Sequence, residues 1–176
     1  MLLPVVYVED PKHVYPERVF PTAQEYARVS PRFPKIAPDT IIIDRKDNTL
    51  YLAQRIVQTM KGWWNFGGSL LAREDLVAGA RRTFLRDAGL DLPEVRFEFI
   101  MIQRIISAIR QEEPQEAGED CFVFQFAVEL TAEERERVVL APTRYDPQIG
   151  LRAFDREGLV REARPPMVRF YDQVFR

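Results

Sequence analysis

Gly68-Ser69-Leu70-Leu71-Ala72-Arg73-Glu74, then seven residues, then Arg82-Thr83-Phe84-Leu85-Arg86-Asp87-Ala88-Gly89-Leu90, is the most informative stretch of this chain. Arg73-Glu74-Asp75 opens a helix in this reading, because acidic residues suit the positive end of the helix dipole. The helix is expected from about Leu76 to Ala88, with Val77, Ala80, Phe84 and Leu85 as its apolar stripe. Gly89 follows where a left-handed residue is wanted. Positions 83, 86 and 87 are spaced i, i+3 and i+4, so they share one helix face. In front of the helix, Gly67-Gly68 lets backbone come close to a ligand, since glycine has no side chain in the way.

Working outward, Thr40-Ile41-Ile42-Ile43-Asp44 is a β-branched run and predicts a buried strand. Arg45 to Asn48 has turn formers, and Leu50 to Arg55 resumes strand character, a hairpin signal. Met60 to Gly68 reads as a loop rich in aromatics and glycine. Val95 to Ile106 predicts a strand long enough to bend or carry a bulge. Gln111 to Asp120 predicts an acidic exposed loop, and Cys121 to Val128 another strand. Thr131 to Glu134 resembles a capping box. Pro142 to Gly150 reads as a loop, Leu151 to Phe154 as a strand, and Asp155 as a cap. The tail from Pro166 to Phe175 has a helical period. Residues 1–38 are punctuated by prolines and form an N-terminal extension, with one short helix from Thr22 to about Val29. It reads as a packing extension or a homodimer contact, the alternative being a direct role at the substrate. Residues 39–176 form the main domain, a mixed-sheet α/β sandwich.

Composition bounds the function. The chain has 176 residues, a formal net charge of -2 and a sequence pI near 5.6. No global basic excess exists to wrap a nucleic-acid polymer. The single Cys121 excludes an internal disulfide and a cysteine-based zinc site, and the single His13 excludes chemistry needing two imidazoles in one chain. His13 reads as a surface or packing residue. No stretch is long and apolar enough to span a membrane, and a cytoplasmic location is expected.

The quoted stretch resembles the Nudix hydrolase family, whose box reads G-x5-E-x7-R-E-U-x-E-E-x-G-U with U a bulky apolar residue. Its fixed positions fall on Gly68, Glu74, Arg82, Thr83, Phe84, Arg86, Asp87, Gly89 and Leu90. Trp63-Trp64-Asn65-Phe66-Gly67-Gly68 is similar to the family's W-x-F-P-G-G lead-in. The resemblance implies an α/β/α sandwich with a mixed β-sheet. It also implies a divalent-metal-dependent hydrolase of a nucleoside diphosphate linked to another moiety, such as a nucleotide sugar. The cofactor would be Mg2+ or Mn2+, held by Asp87 and the Gly68 carbonyl. Such a cation binds oxygen ligands, neutralises a diphosphate and activates water. Glu74 and Arg82 would brace the loop against the helix.

Two of the three helix carboxylates of the box are replaced, by Thr83 and Arg86. The GDP-mannose mannosyl hydrolase branch of the family also lacks the first two and keeps the last. That branch cleaves a sugar C–O bond using a late histidine, which this chain lacks. Arg86 offers a fork to phosphate, or else forms a surface ion pair with Glu94 or Glu98. The resemblance implies a further carboxylate from the acidic loop of Glu112, Glu113, Glu116, Glu119 and Asp120, with Glu119 and Asp120 the preferred catalytic candidates, the alternative being a solvated loop. Arg55 falls where the resemblance implies a phosphate-facing arginine, the alternative being a surface role, and Trp63 and Trp64 are candidates to stack on a nucleobase, although at least one should be core. The alternative to the enzyme is a nucleotide-binding or regulatory module on the same scaffold with catalysis lost.

Overall fold

The computed structural model describes residues 33–176 together with Thr22, Gln24, Glu25 and Arg28. Seven strands form one mixed sheet: β1 (Lys35–Asp44), β2 (Thr49–Arg55), β3 (Gly62–Trp64), β4 (Phe66–Gly67), β5 (Glu98–Ser107), β6 (Glu119–Glu129) and β7 (Leu151–Phe154). The main order is β3-β2-β1-β6-β5, with β4 pairing β1 and β7 pairing β2. Only β1 and β6 run parallel. Ile41, Ile42 and Ile43 are all fully buried. A central strand covered on both faces needs such a continuous apolar run rather than an alternating one.

Helix α1 (Leu76–Ala88) covers one face, where Ala80, Phe84 and Ala88 join Ile42, Phe66 and Phe126 in one core. The opposite face carries α3 (Arg156–Glu162) and α4 (Pro165–Val174). Their Leu159, Met167 and Phe170 pack with Ile41, Ile43, Leu50 and Leu52. The result is a three-layer α/β/α sandwich. A short α2 (Ala132–Glu136) follows β6 behind a capping box from Thr131 and Glu134.

Helix α1 ends as its residues dictate. Asp75 caps its start by accepting from the Val77 and Ala78 amides at 2.8 and 3.4 Å. Gly89 closes it at φ 70°, in the left-handed region that glycine reaches without strain. Its buried face is Gly79, Ala80, Thr83, Phe84, Asp87 and Ala88, while Leu85 of the expected stripe is exposed.

Several boundaries differ from the sequence reading. Strand β1 starts at Lys35, inside the segment expected to be extension. Pro38 is tolerated there because it shares with Ile36, whose carbonyl accepts from the Leu70 amide, the edge of β1 that faces away from β6, and on that edge β4 pairs only at Asp39 and Thr40 and β2 only from Ile42 onward. The expected aromatic loop contains two short strands, fixed by Ala53 opposite Trp64 and Asp39 opposite Gly67. A 3-10 turn takes Glu94–Arg96, and β5 then carries a bulge between Phe99 and Met101. Thr22 and Glu25 make reciprocal capping bonds; most of the 22–29 helix, His13 and the rest of the extension lie outside the described residues. Among the described residues no helix is long and apolar enough to cross a membrane.

Candidate functional site

The turn that joins β3 and β4 to α1 lies over the C-terminal half of that helix. Glu74 and Arg82 lock the two together. Arg82 donates from Nε and Nη2 to the two Glu74 oxygens at 2.6 and 2.7 Å, and from Nη2 to the Ser69 carbonyl at 3.0 Å. Glu74 is buried, and it also accepts from the Leu71 amide at 3.0 Å. This bidentate pair holds the loop from Ser69 to Glu74 in place.

Asp87 sits beneath the glycine turn with 0% exposure. Its Oδ2 accepts from the Gly67 amide at 3.2 Å. Its neighbour Arg86 folds back over it, donating from Nε to Oδ1 at 2.7 Å and from Nη2 to Oδ2 at 2.8 Å. Nη2 also donates to the Gly67 carbonyl at 2.8 Å. Burial opposes the Arg86 charge, but the bonded carboxylate outweighs it and holds the guanidinium above its ordinary value. Arg144, from the loop before β7, reaches Asp87 Oδ1 at 3.7 Å. Burial and the neighbouring Arg86 and Arg55 cations push Arg144 below the usual guanidinium value, against the pull of Asp87.

These groups border a cavity of about 510 Å3, within the range of small-molecule sites. Arg55, Arg86 and Arg144 reach it from β2, α1 and a loop, with Gly67 and Gly68 forming part of its wall. The buried Arg55 Nε has no hydrogen-bond partner among the described residues, while Nη2 donates to the Gln58 carbonyl at 3.3 Å. Lys35, Asp39, Glu112 and Glu119 line the cavity as well. Glu119 pairs with Lys35 and accepts from the Thr59 hydroxyl at 2.8 Å. Asp39 is buried and accepts from the Asn65 amide at 2.9 Å. Burial pushes its carboxyl up to about 6, Asn65 and Arg55 oppose the rise, and Asp87 adds to it. A Cβ on Gly67 would stand 1.9 Å from Asp39 Oδ1, so the carboxylate occupies the space a side chain would need.

The remaining sequence candidates divide. Glu119 faces the cavity; Asp120, next to it, points to the other side of the sheet and pairs with Arg104 at 2.7 Å. Alternation along β6 separates them. Trp64 is buried and touches the cavity. Trp63 packs edge-on against Phe154 at 5.1 Å and under Arg152, away from the cavity, so it has no free face there for a base. Arg86 pairs with neither Glu94 nor Glu98; Glu98 is engaged by Arg45. Among the loop acids, Glu112 reaches the cavity, whereas Glu113 and Glu116 are exposed outside it. Asp39 and Arg144 were absent from the sequence candidates. Asp39 had one available signal, a lone acid opening the Ile41–Ile43 run.

The helix face does not fit a divalent cation. The Thr83 hydroxyl donates within its own helix to the Gly79 and Ala80 carbonyls, at 3.0 and 3.1 Å. Both Asp87 oxygens and the Gly67 carbonyl accept from one guanidinium. Among the described residues no group of three His, Cys, Asp or Glu side chains is placed to hold a metal.

No protein-family model and no curated protein matches the chain. Solved structures do match its shape. A MutT Nudix hydrolase from Burkholderia pseudomallei aligns with TM-score 0.63 at 17% identity, covering 81% of this chain and 99% of that one. A MutT protein from Methanosarcina mazei Go1 aligns with TM-score 0.58 at 18% identity, covering 80% and 93%. An Ap4A hydrolase from C. elegans aligns with TM-score 0.53 at 11% identity, covering 80% and 96%. The architecture that gathers these side chains around one glycine turn is the Nudix hydrolase fold.

Proposed function

We propose that this chain binds a nucleoside diphosphate linked to another moiety, such as a nucleotide sugar, as a binding module whose helix-held metal chemistry has been lost. The observation that carries the reading is the convergence of Arg55, Arg86 and Arg144 on one cavity beside the Gly67-Gly68 turn. Guanidinium groups match phosphate oxygens in pairs, and the turn leaves room for backbone to approach them. Trp64 and the aliphatic wall of Ala37, Leu70 and Val123 give the apolar surface that the remainder of such a ligand needs. The relevant ligand is small; the chain has no basic excess for a polymer.

A second reading, divalent-metal-dependent hydrolysis with Mg2+ or Mn2+, is favoured by a different observation. Asp39, Glu112 and Glu119 bring three carboxylates to the same cavity. These carboxylates are not grouped as a metal site, so on this reading the cation would be held largely by the ligand's own phosphate oxygens, with one of these groups serving the attacking water.

Calorimetry against nucleotide sugars, dinucleoside polyphosphates and nucleoside triphosphates, paired with a product assay in Mg2+ or Mn2+, tests both. Binding without product release is expected. Arg55→Ala and Arg144→Ala should each weaken it by about tenfold or more, as the loss of a hydrogen bond to a charged group does. Product release in oxygen-labelled water would support the second reading and place the label on sugar or phosphate. No binding across the panel would defeat both.

A further inference from the structure

We propose that Arg86 takes the place of the divalent cation, so that the cavity recognises a diphosphate group without a metal ion; this rests on the reading of the cavity as a diphosphate site. A carboxylate and a glycine carbonyl at one point are the oxygen donors a hard cation uses. Here the Asp87 carboxylate and the Gly67 carbonyl converge instead on the Arg86 guanidinium, at 2.7 to 2.8 Å. The positive charge is attached to the chain, cannot be lost to a chelator and cannot be deprotonated.

The same contacts orient it. Nε and Nη2 are committed to Asp87 and Gly67, which leaves Nη1 with no hydrogen-bond partner among the described residues. Nη1 and Nη2 both lie 3.3 Å from where a Cβ on Gly68 would be. Glycine at 68 therefore keeps the guanidinium uncovered toward the cavity. Asp87 is fully buried and pinned by the Gly67 amide, so the arginine is held before a ligand arrives and little side-chain freedom remains to be lost. Arg144 shares that single carboxylate at 3.7 Å. Near neutral pH the three guanidiniums of Arg55, Arg86 and Arg144 outnumber the two carboxylates of Asp39 and Asp87, which leaves one positive charge in excess at this corner. A free cation entering this corner would meet that charge.

The test uses inorganic pyrophosphate as the ligand probe and Mn2+ alone as the metal probe, on the full chain. Calorimetry is expected to give the same pyrophosphate affinity with and without EDTA, and electron paramagnetic resonance to show Mn2+ remaining free. The charge-neutral double change R86Q/D87N should weaken pyrophosphate by about tenfold or more. R86K should give a smaller loss, because the charge stays while the fork goes, and it serves should the double change fail to fold. R86E places a second carboxylate beside Asp87 and should gain Mn2+ binding. Pyrophosphate binding that disappears in EDTA, or Mn2+ uptake by the unaltered chain that R86E does not increase, would overturn the inference and leave the ligand reading standing. Folded R86Q/D87N or R86K proteins with undiminished pyrophosphate affinity would also overturn it. Absence of pyrophosphate binding both with and without EDTA would remove the inference together with the ligand reading.

Discussion

Asp39 and Asp87 are two buried acids facing one another across the glycine turn, and their surroundings give them opposite effects on stability. Asp39 has a carboxyl raised from 3.8 to about 6 by burial. Between those values the folded chain keeps a proton that the unfolded chain has lost, so this group lowers stability as pH rises from about 4 to about 6 and adds nothing further above that. Replacing Asp39 with Asn should therefore stabilise the fold by about 3 kcal/mol near neutral pH, with the gain shrinking toward about pH 4. Urea denaturation at the two pH values measures this; an equal effect at both would show that the charge is not the cause. Asp87 behaves otherwise, because it is the acceptor for Arg86 and for the Gly67 amide. Asp87→Ala leaves a guanidinium and a buried amide without their acceptor. A loss of about 2–3 kcal/mol is expected, at the low end for a buried pair because Arg86 keeps some contact with water. The same denaturation experiment checks it. A residue that costs stability, lining a cavity that three arginines also reach, is what a site kept for binding rather than for folding looks like.

Among the elements, α1 and its approach to β1 shape the site most directly. Gly79 sits where the helix comes closest: a Cβ there would lie 2.8 Å from Leu70 Cδ1 and 2.9 Å from Pro38 Cγ. Alanine is the better helix former by about 1 kcal/mol, so propensity alone predicts that Gly79→Ala stabilises. The proline ring belongs to a strand paired along its length with β6 and cannot easily yield, and overpacking of this kind costs about 1–3 kcal/mol. Net destabilisation is expected, visible as a lower urea midpoint with an unchanged slope. A higher midpoint would mean that the helix shifts at little cost. The boundaries of α1 were legible because Asp75 and Gly89 are local signals with local causes. What fills its i, i+3, i+4 face was not. Periodicity puts Thr83, Arg86 and Asp87 on one side, but only the packing against β1 and β4 turns Thr83 inward and folds Arg86 back onto its neighbour. The start of β1 was hidden for the same kind of reason: a proline is read against a strand unless the partner register is known. Glu119 and Asp120 were separable in principle, since Glu119, Cys121 and Val123 share one face of β6 by simple alternation.

At the scale of the whole molecule, the sheet divides two cores with different duties. The core under α1 contains Phe66 and Phe84 and underlies the turn that holds Asp87. The core under α3 and α4 contains Met167 and Phe170, both fully buried, and backs the opposite face of the sheet. The sandwich as a whole was legible from the order of strand pairs around one helix. The assembly of the cavity was not, because Asp39, Arg55, Arg86 and Arg144 come from four elements whose closeness depends on the sheet order. The division makes stability and binding separable. Phe170→Ala and Phe84→Ala each empty a fully buried aromatic site, and each should cost about 3–5 kcal/mol. Only Phe84 also packs edge-on against Phe66, at 5.5 Å, the residue that precedes Gly67. Its loss should loosen the turn and weaken pyrophosphate binding by about tenfold or more, whereas Phe170→Ala should leave the affinity of the folded fraction within about twofold, as expected for sites without shared partners. Calorimetry under conditions where each variant is folded separates the two. Equal losses of affinity would mean that the sheet transmits strain between its faces and that the turn is not an independent unit.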